Sequence, residues 1–460
     1  MLQIDTTAKL PYYAQIYEYY RREIETGHLS AGEQLLSVRE LARRVGVSKM
    51  TVEQSYYQLA SEGYIQSRNR ARYQVTAITD WAAASPVDRL PDSDSAKVQT
   101  YRYHFASGEM DTEGFRFEKW RSYMNRVLQE PEQLLSYGDE QGEAELRQII
   151  SQHVYQTRGA QASADTIVIG AGTQPLLRII TSLLRGDHQS IGVENPGFRL
   201  GREVFRDEGY RIYPLSVQEG DIEMASLEKC GTRLVYVSPS HQFPTGRVMS
   251  INRRQELLRW AENTNGLIIE DDYDSELRYY GRPIPSLQGL DRAGRVVYMG
   301  SFSKVLPPSI RISYMILPVA LLAVYNKKRE LFRQNASLIE QKVLSEYIRA
   351  GELSKQIRRL RKIYQEKGRH FTALLSQYFG DSIQVERPIS GVYCRVVIRS
   401  NDSIEVLVKK AKDHDCLVLP MTNLYTASKD ASTKEFLLSF SRIPSQELEA
   451  AVATLHEAWR

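Results

Sequence analysis

Ser301-Phe302-Ser303-Lys304 is followed, seven residues after the lysine, by Arg311, and behind that comes a strand-like run from Ile312 to Leu317. Upstream, the apolar run Leu267-Ile268-Ile269 ends in the acidic cluster Glu270-Asp271-Asp272-Tyr273. An amine, hydroxyls, an arginine and a carboxylate at the end of an apolar run are the groups that a pyridoxal phosphate site requires. The lysine amine forms a Schiff base, and the hydroxyls and guanidinium hold the phosphate. The carboxylate pairs with the protonated pyridine nitrogen and makes the ring an electron sink.

Outward from this stretch, helix-like and strand-like runs alternate from about residue 101. Ile167-Val168-Ile169-Gly170 reads as a buried strand, followed by Ala171-Gly172-Thr173-Gln174 and a helix over Leu176, Leu177, Ile180 and Leu184. Strand, Gly-Thr turn and helix form a phosphate cradle, because backbone N–H groups and the helix dipole point at the anion. Further strands are expected at Ser190–Val193, Leu234–Val237, Leu267–Glu270, Val296–Met299 and Ile312–Leu317, which predicts a mostly parallel α/β sheet. Gly172-Thr173, Asp271 and Lys304 would all lie at carboxyl ends of strands, where ligands of such sheets sit.

Composition sets the bounds. At 460 residues the chain should hold two or three domains, and a hydrophobic fraction of 42% is ample for their cores. The net charge is only +4, so nucleic-acid binding has to be argued from local placement. Cys230, Cys394 and Cys416 have neither metal nor redox spacing, which fits a reduced, cytoplasmic protein. Residues 1–13 lack a secretory apolar core. The longest apolar run, Tyr314 to Tyr325, contains Pro318 and is too short to span a bilayer, so no membrane role is expected.

The N-terminal segment carries a different pattern. Ile16, Tyr20 and Ile24 fall at helical spacing before Gly27. Ser37-Val38-Arg39-Glu40 has capping-box spacing and opens a second helix over Leu41 and Val45. Gly46 supplies a turn, and Ser48 caps a third helix with Val52, Tyr56 and Leu59 on its buried face. Tyr64 to Ser67 and Tyr73 to Val75 flank the Arg-rich tip Arg68-Asn69-Arg70-Ala71-Arg72, which predicts a small wing. Residues 36–72 carry seven basic and three acidic side chains, net +4, on the surfaces that would face a duplex. Residues 79–100, rich in Ala, Ser, Asp and Pro, predict a flexible tether.

This segment resembles the winged helix-turn-helix of GntR-type bacterial regulators through Ser37-Val38-Arg39-Glu40-Leu41-Ala42, Gly46-Val47-Ser48, Thr51-Val52 and Leu59-Ala60-Ser61-Glu62-Gly63-Tyr64-Ile65. The resemblance implies operator-DNA contacts from Ser37, Arg39, Ser48, Lys49 and Thr51, and from Arg68 and Arg70 of the wing. Leu36 stands where the family usually has Pro, and the wing tip lacks the usual glycines. Residues 103–460 resemble a fold type I aminotransferase, and the whole chain is similar to MocR-type regulators, a GntR reader fused to an aminotransferase-like domain.

That resemblance implies three parts: a winged helix-turn-helix over 1–78, a linker over 79–102 and a PLP-binding effector domain over 103–460. The last combines an α/β large domain with a small C-terminal α+β subdomain from about 330. Lys304 would form the internal aldimine, Asp271 pair with the pyridine nitrogen, and Tyr273 donate to the ring's phenolic oxygen. Gly172, Thr173, Ser301, Ser303 and Arg311 would form the phosphate cup, and Phe198 would stack on the ring. Tyr137 would reach the phosphate of a neighbouring subunit, which implies a homodimer, swapped head to tail.

Two departures bear on function. Phe243 occupies the position before Pro244-Thr245-Gly246 where an aminotransferase usually has Asn, leaving His241 or Gln242 to supply the missing hydrogen bond. Leu437, in Phe436-Leu437-Leu438-Ser439-Phe440, stands where an Arg usually binds the substrate carboxylate, with Arg442, Arg199 or Arg202 as substitute anchors. The expectation is therefore a regulator, not an enzyme, that senses PLP itself or an amino compound. The alternative is an active aminotransferase with an accessory DNA-binding domain. The basic stretch Lys355, Arg358, Arg359, Arg361, Lys362, Lys367, Arg369 reads as a solvated amphipathic helix or as a second DNA track.

Overall fold

The computed structural model describes residues 2–67, 72–77, 100–111, 113–279, 281, 284–426 and 433–460. The chain divides into two compact units, Met1–Gln99 and Thr100–Arg460. Residues 78–99, which include most of the expected tether, lie outside the described residues.

In the first unit, α1 (Tyr12–Glu25) buries Ile16, Tyr17, Tyr20 and Ile24. The capping box forms as the spacing predicts: Ser37 Oγ accepts from the Glu40 N–H, and the Glu40 carboxylate accepts from the Ser37 N–H, each at 3.2 Å. It opens α2 (Val38–Val45), which closes on Gly46 in the left-handed region. Ser48 then caps α3 (Lys49–Ser61) by accepting from the Thr51 N–H at 3.1 Å. Val52, Tyr56 and Leu59 are fully buried against α1 and α2. Two short antiparallel strands, β1 (Ile65–Gln66) and β2 (Gln74–Val75), form the wing. Its tip, residues 68–71, is outside the described residues.

The second unit is built on an eight-stranded sheet. Across it the strands run Ile167–Gly170, Ser313–Ile316, Val296–Ser301, Leu267–Asp272, Leu234–Val237, Ser190–Asn195, Arg211–Gln218 and Asp221–Ile222. The pairings among Val296–Ser301, Leu267–Asp272, Leu234–Val237, Ser190–Asn195 and Arg211–Gln218 are all parallel. Ser313–Ile316 runs antiparallel to both of its neighbours. The central strands are buried along their length, as continuous apolar runs covered on both faces should be. Arg211–Gln218 is a strand not expected from the sequence; its polar alternation leaves it less deeply covered.

A second, antiparallel sheet contains Ile383–Val385, Tyr393–Ile398, Lys434–Ser439 and Leu419–Pro420. It packs with a 28-residue helix, Glu352–Phe379. Here one expectation is corrected. Lys367, placed by sequence on a solvated basic face, is buried at 3% exposure and pairs with the Asp111 carboxylate while donating to the Ser441 carbonyl at 2.8 Å. It falls in register with Leu360, Tyr364 and Phe371, so helical spacing puts it on the inner face. Lys355, Arg358, Lys362 and Arg369 are exposed.

Candidate functional site

The candidate phosphate end is built from three adjacent strands. Ser301 pairs in register with Ser313, and Ser313 with Gly170. Ser313 Oγ donates to Ser301 Oγ at 2.9 Å, and Ser301 and Ser303 share a hydroxyl contact at 2.8 Å. After Gly170 the chain turns through Gly172, at φ +102°, into the helix Thr173–Leu184. A side chain at Gly172 would be strained by that φ, and its Cβ would lie 3.1 Å from Arg311 Nη2. Arg311 reaches this turn itself and donates to the Ala171 carbonyl at 3.0 Å. Free N–H groups of a twelve-residue helix, three serine hydroxyls and a guanidinium thus converge, which suits a dianion.

Lys304 Nζ donates to the Gly108 carbonyl at 2.8 Å and stands 5.6 Å from the centre of the Tyr393 ring. A Cβ on Gly108 would collide with the Tyr393 hydroxyl, so glycine is needed there to let the lysine and tyrosine close in. At the end of the central strand, Asp271 and Asp272 part company. Asp272 binds Arg158 at 2.6 Å and accepts from the Tyr298 hydroxyl at 2.5 Å. Asp271 accepts from the Tyr236 hydroxyl and forms no ion pair among the described residues. Burial pushes the Asp271 carboxyl up to about 7, against the opposing Tyr236 hydrogen bond and with help from neighbouring carboxylates. A buried acid without a cation fits the positive ring nitrogen of pyridoxal phosphate. Nearby Glu194 is likewise pushed by burial to about 8.

Tyr273 lies beside a His241–Asp274 pair. His241 Nδ1 is 2.8 Å from both Asp274 oxygens and 3.1 Å from the Tyr273 hydroxyl. With the ring proton on Nδ1, the tautomer the adjacent Asp274 carboxylate favours, the Tyr273 proton is free to point elsewhere. Burial holds that phenol well above its ordinary pKa, so it remains a donor. Of the two residues left open to replace the missing Asn, Gln242 is engaged in its own loop. It accepts from Thr245 N–H and Oγ at 3.1 and 2.6 Å and donates to the Pro196 carbonyl at 2.9 Å. His241 is the one next to Tyr273. Phe243 sets its ring edge-on to Tyr273 and Tyr393, at 6.0 and 5.9 Å.

Phe198 precedes the helix Arg199–Asp207, packs partly buried beside Leu177 and Phe205, and leaves room for nothing larger than Gly201 beneath its ring. Tyr137 is 92% exposed, with the Arg333 guanidinium 5.8 Å from its ring centre. Leu437 is 1% exposed and clusters with Met421 and Leu424, flanked by Phe243, Tyr393, Leu419 and Tyr425. The three arginines weighed as substitute anchors are placed differently. Arg442 pairs with Glu109 at 2.9 Å, Arg202 donates to the carbonyls of Leu424 and Tyr425, and Arg199 is exposed.

In the first unit, Arg39, Ser48 and Lys49 are exposed at the starts of α2 and α3, and Thr51 is half-buried. Met50 and Tyr57, passed over in the sequence reading, are 76% and 74% exposed on α3. Arg68 and Arg70 lie outside the described residues.

Residues 12–75 match the profile of bacterial regulatory proteins of the gntR family, and residues 103–455 that of aminotransferase class I and II. The chain is 36% identical over 459 residues to the uncharacterized HTH-type transcriptional regulator YdeL of Bacillus subtilis (strain 168), covering 99% of this chain and 98% of that one. It is 29% identical over 485 residues to the probable rhizopine catabolism regulatory protein MocR of Rhizobium meliloti, covering 100% and 96%. This chain belongs to the MocR-type transcriptional regulators. Another relative, the HTH-type pyridoxine biosynthesis transcriptional regulator PdxR of Corynebacterium glutamicum, is 32% identical over 379 residues, covering 82% and 81%. Among solved structures, a Pyrococcus horikoshii kynurenine aminotransferase superposes with a TM-score of 0.71 at 22% identity, covering 78% of this chain and 91% of that one, which establishes the fold.

Pyridoxal 5′-phosphate is the cofactor of the aminotransferase-like domain of this MocR-type chain. Several residues at its candidate site were not expected from the sequence, among them Asp274. Ser313 and Tyr236 sit on strands that were expected, but their roles depend on register. Gly108 and Tyr393 come from segments about 200 residues before and 90 after Lys304, and no local pattern connects them to it.

Proposed function

We propose that the chain is a bacterial transcription regulator whose aminotransferase-like domain holds pyridoxal phosphate on Lys304. It reads either that compound or an amino compound, and thereby changes its grip on operator DNA. One observation carries this reading. The lysine, serines and arginine expected to hold the cofactor are all present in the chain, while the strand position of Leu437 offers only a buried apolar side chain. A carboxylate there lacks the bidentate guanidinium that would hold it. Cofactor binding is kept and ordinary amino-acid recognition is lost, the combination a sensor needs. The relative PdxR is named as a regulator of pyridoxine biosynthesis, which is in keeping with the cofactor as one signal.

When bound, the cofactor supplies an aldehyde and an electron-withdrawing ring. In this reading Lys304 provides the attachment amine, and Asp271 pairs with the ring nitrogen under the hydrogen bond from Tyr236. Tyr273 donates to the phenolic oxygen, oriented by His241 and Asp274. Gly172, Thr173, Ser301, Ser303 and Arg311 hold the phosphate, and Phe198 stacks on the ring. Tyr137 crosses to the phosphate of a second copy in a homodimer swapped head to tail, and its exposure in one chain supports that role.

DNA is held by the winged unit, residues 1–78, which the linker 79–102 ties to the effector domain 103–460 and its small subdomain from about 330. Arg39, Lys49, Arg68 and Arg70 supply phosphate contacts, and Ser37, Ser48 and Thr51 stand at helix starts facing the groove. Exposed Met50 and Tyr57 add apolar surface for thymine methyl groups. Three free cysteines agree with a cytoplasmic setting.

The test is Lys304→Ala. The variant should lose the absorption band of the attached cofactor and its DNA binding should no longer answer to pyridoxal phosphate. A normal response would show that attachment is not the trigger. Steady multiple turnover of an amino acid with a keto acid by the unaltered chain would instead make it an aminotransferase.

A further inference from the structure

We infer that the amino compound read at this site carries an aromatic or aliphatic substituent and no carboxylate beside its amine. The inference rests on the proposed cofactor site at Lys304 and names the class of its ligand.

An apolar cluster is reached from the Lys304 amine through Tyr393. Tyr393 lies 5.6 Å from Nζ, its ring meets Phe243 edge-on, and Phe243 meets Tyr273 in the same way. Behind these rings stand Leu437, Met421 and Leu424, none more than 5% exposed. Edge-on aromatic rings accept a further ring or a branched alkyl group readily.

Among the described residues, three arginines near this cluster, Arg395, Arg202 and Arg442, already have partners, and Arg199 is exposed to solvent. Arg395, directly across the ladder from Leu437, forms ion pairs with Glu386 at 2.5 Å and Glu435 at 3.1 Å. The Arg202 guanidinium donates to the Leu424 and Tyr425 carbonyls, at 3.3 and 3.4 Å, on the same cluster. Arg442 is paired with Glu109. A carboxylate entering here would be desolvated without a partner among the described residues, or would have to break one of these pairs. An apolar substituent meets no such penalty and gains from burial. The selection therefore runs against α-amino acids and for the amines that share their side chains.

The full-length chain, loaded with pyridoxal phosphate, tests this with matched pairs: phenethylamine against phenylalanine, and isoamylamine against leucine. Binding is followed by the cofactor absorption spectrum and by titration calorimetry. The amine of each pair should bind at least tenfold more tightly than the amino acid. Leu437→Arg should narrow or reverse that ratio. Because a buried arginine can unfold the domain, Phe243→Ala is a second variant, expected to weaken phenethylamine several-fold while the spectrum of the bound cofactor is kept. Equal or tighter binding of the amino acids overturns the inference, as does a spectrum and heat unmoved by any of the four compounds, and both leave the cofactor site standing. Failure to take up pyridoxal phosphate at all would overturn the site and the inference together.

Discussion

Asp271 carries the electrostatic burden of the candidate site. Its folded pKa, pushed by burial to about 7, stands above the 3.8 of an unhindered aspartate. The stability it contributes to the cofactor-free chain is therefore complete below pH about 4 and is lost as pH rises through about 7. A bound ring nitrogen carrying a positive charge reverses that loss, so pyridoxal phosphate affinity should increase as pH rises through 7. Asp271→Asn should remove this part of the increase, measured by spectral titration from pH 5.5 to 8.5. An unchanged pH profile in the variant would mean that Asp271 does not face the ring. Asp271 and Lys304 were legible because each ends an apolar run in a short, chemically marked stretch. Tyr236 was not, because its hydroxyl reaches Asp271 from the next strand and only the parallel pairing of Leu234–Val237 with Leu267–Asp272 brings the two together. Lys367 was misread as solvated because its charge drew more attention than its register with Tyr364 and Phe371.

At the level of the element, the turn between the strand Ile167–Gly170 and the helix Thr173–Leu184 forms the proposed phosphate end. Gly172→Ala forces an alanine to φ +102°, a conformation that costs about 1–3 kcal/mol in a non-glycine residue. It also crowds Arg311. Pyridoxal phosphate affinity should fall roughly tenfold or more, read by equilibrium dialysis, while pyridoxal without phosphate should be affected far less. An equal loss for both compounds would place the phosphate elsewhere. Strand, glycine turn and helix lie consecutively in the chain, so this unit was readable from periodicity, as was the capping box of Ser37 and Glu40. The antiparallel direction of Ser313–Ile316 was not. Its residues read as one more buried strand, and nothing local in them states that it runs against its neighbours or that Ser313 meets Ser301.

For the whole molecule, the two units carry separable tasks. Arg39→Ala should weaken operator binding and lower the slope of log affinity against log salt by roughly one, since one phosphate contact is lost. Its cofactor spectrum should match that of the unaltered chain; loss of both properties together would mean the tasks are not divided as proposed. Both halves were recognisable from ordered motifs, but the coupling between them was not, because it depends on relative placement of the units and of a second copy. The most direct measurement is the affinity of the full chain for operator DNA selected on it, by fluorescence anisotropy at fixed salt. It is made without pyridoxal phosphate, with it, and then with an amine such as phenethylamine added. The expected result is a shift of at least fivefold at one of the two additions, absent in Lys304→Ala. Identical affinity in all three states, with the cofactor demonstrably bound, would contradict the coupling of the site to DNA.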